Sequence, residues 1–117
     1  MNGRSYNNSV IGGTIMEKQN EKVIHAMEEL LKVSADATRL KIMFTLLGEG
    51  EVVEKCVSEI QNEIASSQSL VSHQLKVLKD ADLVATRKVG TKIYYSLKDE
   101  HVEQLIKVVL EHVIEKM

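Results

Sequence analysis

Residues 57–97 read VSEIQNEIASSQSLVSHQLKVLKDADLVATRKVGTKIYYSL, and the succession of periods within this stretch decides the fold. Val57 to Ile64 is short and helical, with Ile60 and Ile64 as its apolar pair. Ser66, Ser67 and Ser69 break the pattern and offer hydroxyls that cap the N-terminus of a second helix. Leu70, Val71, Leu75 and Leu78 then make a helical stripe running to Ala81, with Ser72, His73, Lys76 and Lys79 on the opposite side. Two short helices joined by a Ser-rich turn form a helix-turn-helix over about 57–81. After Leu83 the period falls toward two: Val84–Lys88, then Val89-Gly90-Thr91, then Lys92–Leu97 reads as strand, tight turn, strand. A helix-turn-helix followed at once by a basic hairpin, over about 83–97, predicts a winged helix.

Upstream, Asp36 precedes ATRLKIMFTLL, whose apolar stripe at 40, 43, 44 and 47 ends at Gly48, a residue suited to a left-handed helix stop. Before it, from Glu17, the residues Val23, Met27, Leu30, Leu31 and Ser34 follow three-and-four spacing and predict another helix. Residues 1–16, rich in Asn, Ser and Gly, have no period and read as a disordered leader to a domain over 17–117. Downstream, Asp99 to Met117 is amphipathic, with Val102, Leu105, Ile106, Val109, Val113 and Met117 as one stripe. The expected class is mainly α with a small β-hairpin, dimeric through its N- and C-terminal helices, because a small core leaves the long terminal helix partly uncovered.

The 117 residues suffice for one core and not for two. A single cysteine, Cys56, excludes an intramolecular disulfide framework and suits a reducing compartment. Aromatic residues are 3%, too few for a base-stacking platform. No apolar run approaches the ~20 residues that span a bilayer, and no signal-peptide plan opens the chain, so a cytoplasmic protein without membrane partners is expected. The net charge of −2 argues against a nucleic-acid partner until it is divided along the chain. Residues 66–98 hold Lys76, Lys79, Arg87, Lys88, Lys92 and Lys98 against Asp80 and Asp82, a balance of +4; residues 16–65 carry −4 and residues 99–117 carry −3. A basic segment supplies phosphate contacts, which dominate affinity for DNA. In the second helix Ser69, Ser72, His73 and Gln74 are of the size and type to approach base edges in a major groove, with Lys76 on the backbone. Arg87, Lys88 and Lys92 of the hairpin then reach the backbone or the minor groove. A solvated lysine face explains the same composition equally well.

Ala35-Asp36-Ala37-Thr38-Arg39-Leu40-Lys41-Ile42, Ser69-Leu70-Val71-Ser72-His73-Gln74-Leu75-Lys76-Val77-Leu78 and Val89-Gly90-Thr91-Lys92-Ile93-Tyr94-Tyr95-Ser96-Leu97 together resemble the ArsR/SmtB family of metal-responsive winged-helix repressors. The resemblance spans about Glu21 to Met117, and departs at Ala37, where family members often carry Pro. It implies a homodimer that binds double-stranded operator DNA and answers a metal ion.

For the metal, the terminal helix is the first candidate. His101, Leu105, Val108, His112 and Glu115 fall within roughly 40° of one line on its surface, but His101 and His112 are about 16 Å apart along the axis. One chain therefore cannot close a site with both. Two copies paired antiparallel bring Asp99 and His101 of one subunit to His112 and Glu115 of the other, twice per dimer. Asp99 falls on the wrong face if helical, and fits only from the N-cap or just before it. By spacing alone, Asp99 as a simple helix cap and both histidines as surface residues account for the pattern equally well. The family resemblance matches Asp-x-His, ten residues, His-x-x-Glu to a terminal-helix zinc site residue by residue. Two imidazoles and two carboxylates suit tetrahedral Zn(II), with Co(II) as an alternative, two ions per dimer, each bridging the subunits. Cys56 lacks the second thiol of a Cys-x-Cys site, since Ser58 stands there, and His25 is alone on its helix. The expected function is a zinc-responsive repressor whose metal-free dimer holds its operator and whose zinc-loaded form releases it, derepressing efflux or storage genes. The alternative is a regulator of the same fold answering another metal or a non-metal signal. A small metalloenzyme fits poorly, because four protein ligands leave no open position for substrate.

Overall fold

The computed structural model describes residues 14–117, with side chains from Asn20 onward. Residues 1–13, the greater part of the expected leader, lie outside the described residues. Helix α1 spans Thr14–Ser34 and so begins before the Glu17 expected from periodicity. The described residues divide into two compact units, the first ending at Lys32 and the second spanning Val33–Met117. In the first, Ile24, Met27 and Leu31 are exposed on α1.

The second unit holds the remaining elements. Helix α2, Ala37–Thr45, starts at Asp36, whose extended backbone lets Oδ2 accept the Arg39 N–H at 3.0 Å. The expected stripe at 40, 43, 44 and 47 needs correction. The core takes Ile42, Met43 and Leu46, all at most 1% exposed, while Leu40 and Phe44 stay 40% and 54% exposed. This helix is apolar on two adjacent sides, and periodicity alone does not say which of them the core covers. Gly48 is also corrected. It is not in the left-handed region; a Cβ there would collide with the Glu51 carbonyl, so the position needs a small residue rather than a positive φ.

Strand β1, Lys55–Cys56, leads into helix α3, Val57–Ile64, which ends as Ala65 turns left-handed at φ 54°. The Ser67 hydroxyl then accepts the Leu70 N–H at 3.2 Å and starts helix α4, Gln68–Asp80. Strands β2, Val84–Val89, and β3, Lys92–Leu97, form the hairpin, with Gly90 at φ 62° in the two-residue turn. The sheet has the order β1-β3-β2, antiparallel throughout, so a third strand joins the expected hairpin: Lys55 pairs with Tyr95 and Cys56 with Tyr94. A two-residue strand is too short to show a period. Helix α5, Glu100–Lys116, closes the chain.

Ile60, Val71, Leu75, Leu78, Leu83 and Val84 complete a core with essentially no exposed surface, joined by Val102 and Ile106 from the first half of α5. The second half is not covered: Val109 and Val113 are each 49% exposed. Together with Leu40, Phe44, Ile106 and Leu110 they line an apolar groove of about 330 Å³ between α2 and α5.

Candidate nucleic-acid interface and metal site

Burial of Val71, Leu75 and Leu78 fixes which side of α4 faces outward. Ser69, Ser72, His73, Lys76 and Lys79 are exposed. Lys76 forms a surface pair with Asp80 at 3.0 Å, one turn on, and such pairs open readily for a phosphate. Gln74 is different. It is half-buried, and its Oε1 accepts a hydrogen bond from Arg39 Nη1 at 2.7 Å.

In the ribbon, Val84 pairs with Leu97 and both are buried, so alternation puts Thr86 and Lys88 on that face and Arg87 and Val89 on the other. Lys88 is opposite Ile93 and Lys92 opposite Val89, so the two exposed lysines lie on opposite faces near the tip. A ribbon with cations on both faces has the charge to meet both phosphate backbones flanking a groove. Arg87 is already engaged. Its Nε and Nη2 donate to the two oxygens of Glu54 at 2.9 and 2.8 Å, and its Cζ stands 6.0 Å from the Tyr94 ring. The hydrogen bonds from Arg87 hold the Glu54 carboxyl below the usual carboxylate range and raise Arg87 in turn. The side-on fork leaves the Nη1 edge of the guanidinium available.

Asp99 is the N-cap of α5, at φ −163° and ψ −175°, and its Oδ1 accepts the Val102 N–H at 3.1 Å. Its second oxygen, Oδ2, lies 3.8 Å from Nδ1 of His101, whose side chain is 98% exposed. The cap therefore uses one carboxylate oxygen and turns the other toward the imidazole. His112 and Glu115 are exposed one turn apart on the far half of the same helix. The four groups form two pairs at the two ends of α5, and the donor chemistry of two imidazoles and two carboxylates fits a tetrahedral divalent ion only if both pairs meet from different chains.

Among the described residues the one compact trio of His and carboxylate side chains is His25, Glu28 and Glu29 on α1, all exposed. Lys32 offsets one of the two carboxylate charges, at 3.6 Å from Glu28 and 3.9 Å from Glu29, and the exposed trio has the character of an ordinary solvated helix face. Cys56 is buried at the start of α3, with Sγ 3.2 Å from Ser58 Oγ. Its N–H donates to Glu59 Oε1 at 2.9 Å, and that backbone hydrogen bond lowers the Glu59 carboxyl. The roles of Arg39, Glu54 and Glu59 were missed in the sequence. Glu59 has the three-residue spacing of a capping box, but Cys56 is not one of the side chains that mark an N-cap, and the long-range partners of Arg39 and Glu54 leave no local signal.

The sequence profile of the bacterial regulatory proteins of the arsR family matches residues 36–86. The chain is 42% identical over 84 residues to a cadmium resistance transcriptional regulatory protein, a CadC homolog of Staphylococcus aureus, covering 72% of this chain and 67% of that one. It is 39% identical over 89 residues to a transcriptional repressor SmtB homolog of Synechocystis sp., covering 76% of this chain and 64% of that one. The matches thus span about two thirds of the length of these two relatives. Among solved structures, the homodimeric winged helix-turn-helix DNA-binding domain Mb0332 of Mycobacterium bovis superposes with a TM-score of 0.75 at 26% identity, over 84% of this chain and 87% of that one.

Proposed function

Because the chain belongs to the ArsR family of bacterial regulatory proteins, whose members are transcriptional regulators and not enzymes, we propose that it is a homodimeric repressor released from its operator by Zn(II). The observation that carries DNA binding is the exposed polar face of α4, beside a ribbon with lysines on both faces. Ser69, Ser72 and His73 approach base edges, while Lys76, Lys88, Lys92 and the free edge of Arg87 take phosphates. The basic balance of this segment, hidden by the acidic flanks, supports the same division of work.

The homodimeric Mb0332 domain and the exposed apolar residues of α1 and α5 support a dimer. In that dimer Asp99 and His101 of one protomer face His112 of the partner subunit and Glu115 of the partner subunit. The cap bond from the Val102 N–H to Asp99 Oδ1 leaves the second carboxylate oxygen 3.8 Å from His101 Nδ1, which supports these two residues acting as a ligand pair. Asp99 and His101 of one protomer, with His112 of the partner subunit and Glu115 of the partner subunit, would hold a divalent ion, which would cross-link the two α5 helices and so constrain their relative orientation. Since two α4 helices must match half-sites one DNA turn apart, a small change of that orientation lowers operator affinity. Coupling is reciprocal, so operator DNA weakens zinc binding by the same factor.

The test is a titration of DNA-bound protein with zinc, cobalt, nickel and cadmium, on wild type, His101→Ala and Asp99→Asn. Asn keeps the cap and removes a charged ligand, so Asp99→Asn is expected to retain stability and lose the zinc response. Tetrahedral Co(II) absorption bands are expected in wild type and not in His101→Ala. One observation favours a second reading: the cap bond alone already accounts for Asp99, and His101 is almost wholly solvated. A regulator of this fold answering another metal through other ligands, or a non-metal signal, would show a titration, and any Co(II) bands, that neither variant changes.

A further inference from the structure

We propose that Arg39 is a positioning residue of the DNA-reading helix: it fixes the roll of α4 by pinning Gln74, and Gln74 is a strut rather than a reader of base edges. The proposal rests on the DNA-binding role of α4 given above.

Arg39 lies in the first turn of α2, where Asp36 holds its backbone N–H at 3.0 Å. From there its guanidinium reaches in two directions. Nε donates to the carbonyl oxygen of Val33, in the last turn of α1, at 2.6 Å, and Nη1 donates to Gln74 Oε1 at 2.7 Å. Val33 and Gln74 are distant in sequence, and all the contacts are part-buried. The guanidinium is planar, so once Nε is anchored on a backbone carbonyl the direction of Nη1 is set. That carbonyl is one that a helix end leaves without an intrahelical partner, so its acceptor is available to Arg39.

The position of Gln74 on α4 agrees with a strut. At about 100° per residue, it lies roughly 70° from the centre of the buried stripe of Val71, Leu75 and Leu78, whereas Ser69, His73 and Lys76 lie roughly 130° or more away. Gln74 therefore flanks the core side. Reading adenine with a glutamine uses both its carbonyl oxygen and its amide nitrogen, and here the oxygen already holds Arg39. The apolar stripe holds α4 against the core but resists rotation about the helix axis weakly, because aliphatic contacts are non-directional. An off-axis, charge-assisted hydrogen bond is directional. With side-chain tips about 5–6 Å from the helix axis, a roll of about 10° moves Ser72 and His73 by about 1 Å, more than the ~0.5 Å tolerance of a built binding site.

The probes are a duplex selected by the wild-type protein from random-sequence DNA and a mixed-sequence duplex of equal length. Arg39→Met and Gln74→Met are each expected to weaken binding to the selected duplex about tenfold and to leave mixed-sequence binding and its salt dependence unchanged. The double variant is expected to be no weaker than either single one, as for a shared contact. Across single-base-pair substitutions of the selected duplex, Gln74→Met is expected to keep every base preference, whereas Ser72→Ala or His73→Ala flattens one position. Arg39→Lys, which retains the charge but not the fork, serves if the Met variant unfolds in urea controls, and an intermediate loss is expected. Loss of preference at one base pair in Gln74→Met, or undiminished selected-duplex binding in both Arg39 variants, overturns the proposal. Salt-independent or absent binding of wild type to both duplexes removes the DNA-binding role of α4 itself, and that of Arg39 with it.

Discussion

Glu54 and Glu59 show how single carboxylates tie the reading unit together. Glu54 fixes the ribbon through Arg87, and Glu59 caps α3 through the Cys56 N–H. Both are held below the usual carboxylate range, by the Arg87 hydrogen bonds and by the Cys56 backbone hydrogen bond respectively. A carboxyl depressed in the folded state contributes stability that is complete above its unfolded value, near pH 4, and is lost as pH falls toward the depressed value. Glu54→Gln and Glu59→Gln are therefore expected to lower stability at pH 7 and to flatten its decline below about pH 4, as followed by urea midpoints across pH. At this scale the exposed Ser69, Ser72, His73 and Lys76 could be picked out from the sequence, because helical spacing separates them from Val71, Leu75 and Leu78. Gln74 and Arg87 could not, since their partners, Arg39 and Glu54, come from elsewhere in the chain.

Among the elements, α3 was legible to its ends because Ile60 sets its buried side and the serines after it stop the pattern. The hairpin was legible because Gly90 marks the turn between two period-two runs. Strand β1 was hidden, since its pairing with Tyr94 and Tyr95 is a long-range event that leaves no local signal in two residues. In α2 the signal was present but ambiguous, with Leu40 and Phe44 on one side and Ile42 and Leu46 on the other. The loop after α2 offers a measurement of what its glycines do. Gly48→Ala drives a Cβ into the Glu51 carbonyl, whereas at Gly50, φ 87°, a Cβ meets open space and only the backbone conformation is strained. Gly48→Ala is expected to cost about 1–3 kcal/mol, as overpacking does. Gly50→Ala is expected to cost about 1–2 kcal/mol from the left-handed backbone alone, so thermal unfolding should rank Gly48→Ala as the more damaging or equal change.

For the molecule as a whole, among the described residues no helix is long and apolar enough to cross a membrane. In the second unit, uncovered apolar surface runs along α2 and α5 at Phe44, Val109 and Val113. A double Val109→Glu, Val113→Glu variant is expected to sediment as a monomer with its helix content intact, and to lose operator binding for want of the second half-site. The sequence made this face visible as an over-long amphipathic stripe in α5, but the apolar groove that α2 adds was hidden by the same ambiguity that misassigned Leu40 and Phe44. The order β1-β3-β2 also sets the chain's path: α3 and α4 lie between β1 and β3 in sequence, so the two pairs Lys55 to Tyr95 and Cys56 to Tyr94 close a loop around the whole reading unit. Closing a loop of about 40 residues carries an entropy cost that a two-residue turn does not, so in refolding the hairpin zips first and this clasp last. In native-state amide exchange the backbone bonds of β1 should then open at lower free energy than those of the hairpin. The reading head is a latch that can loosen at its hasp while the rest of the fold stays shut.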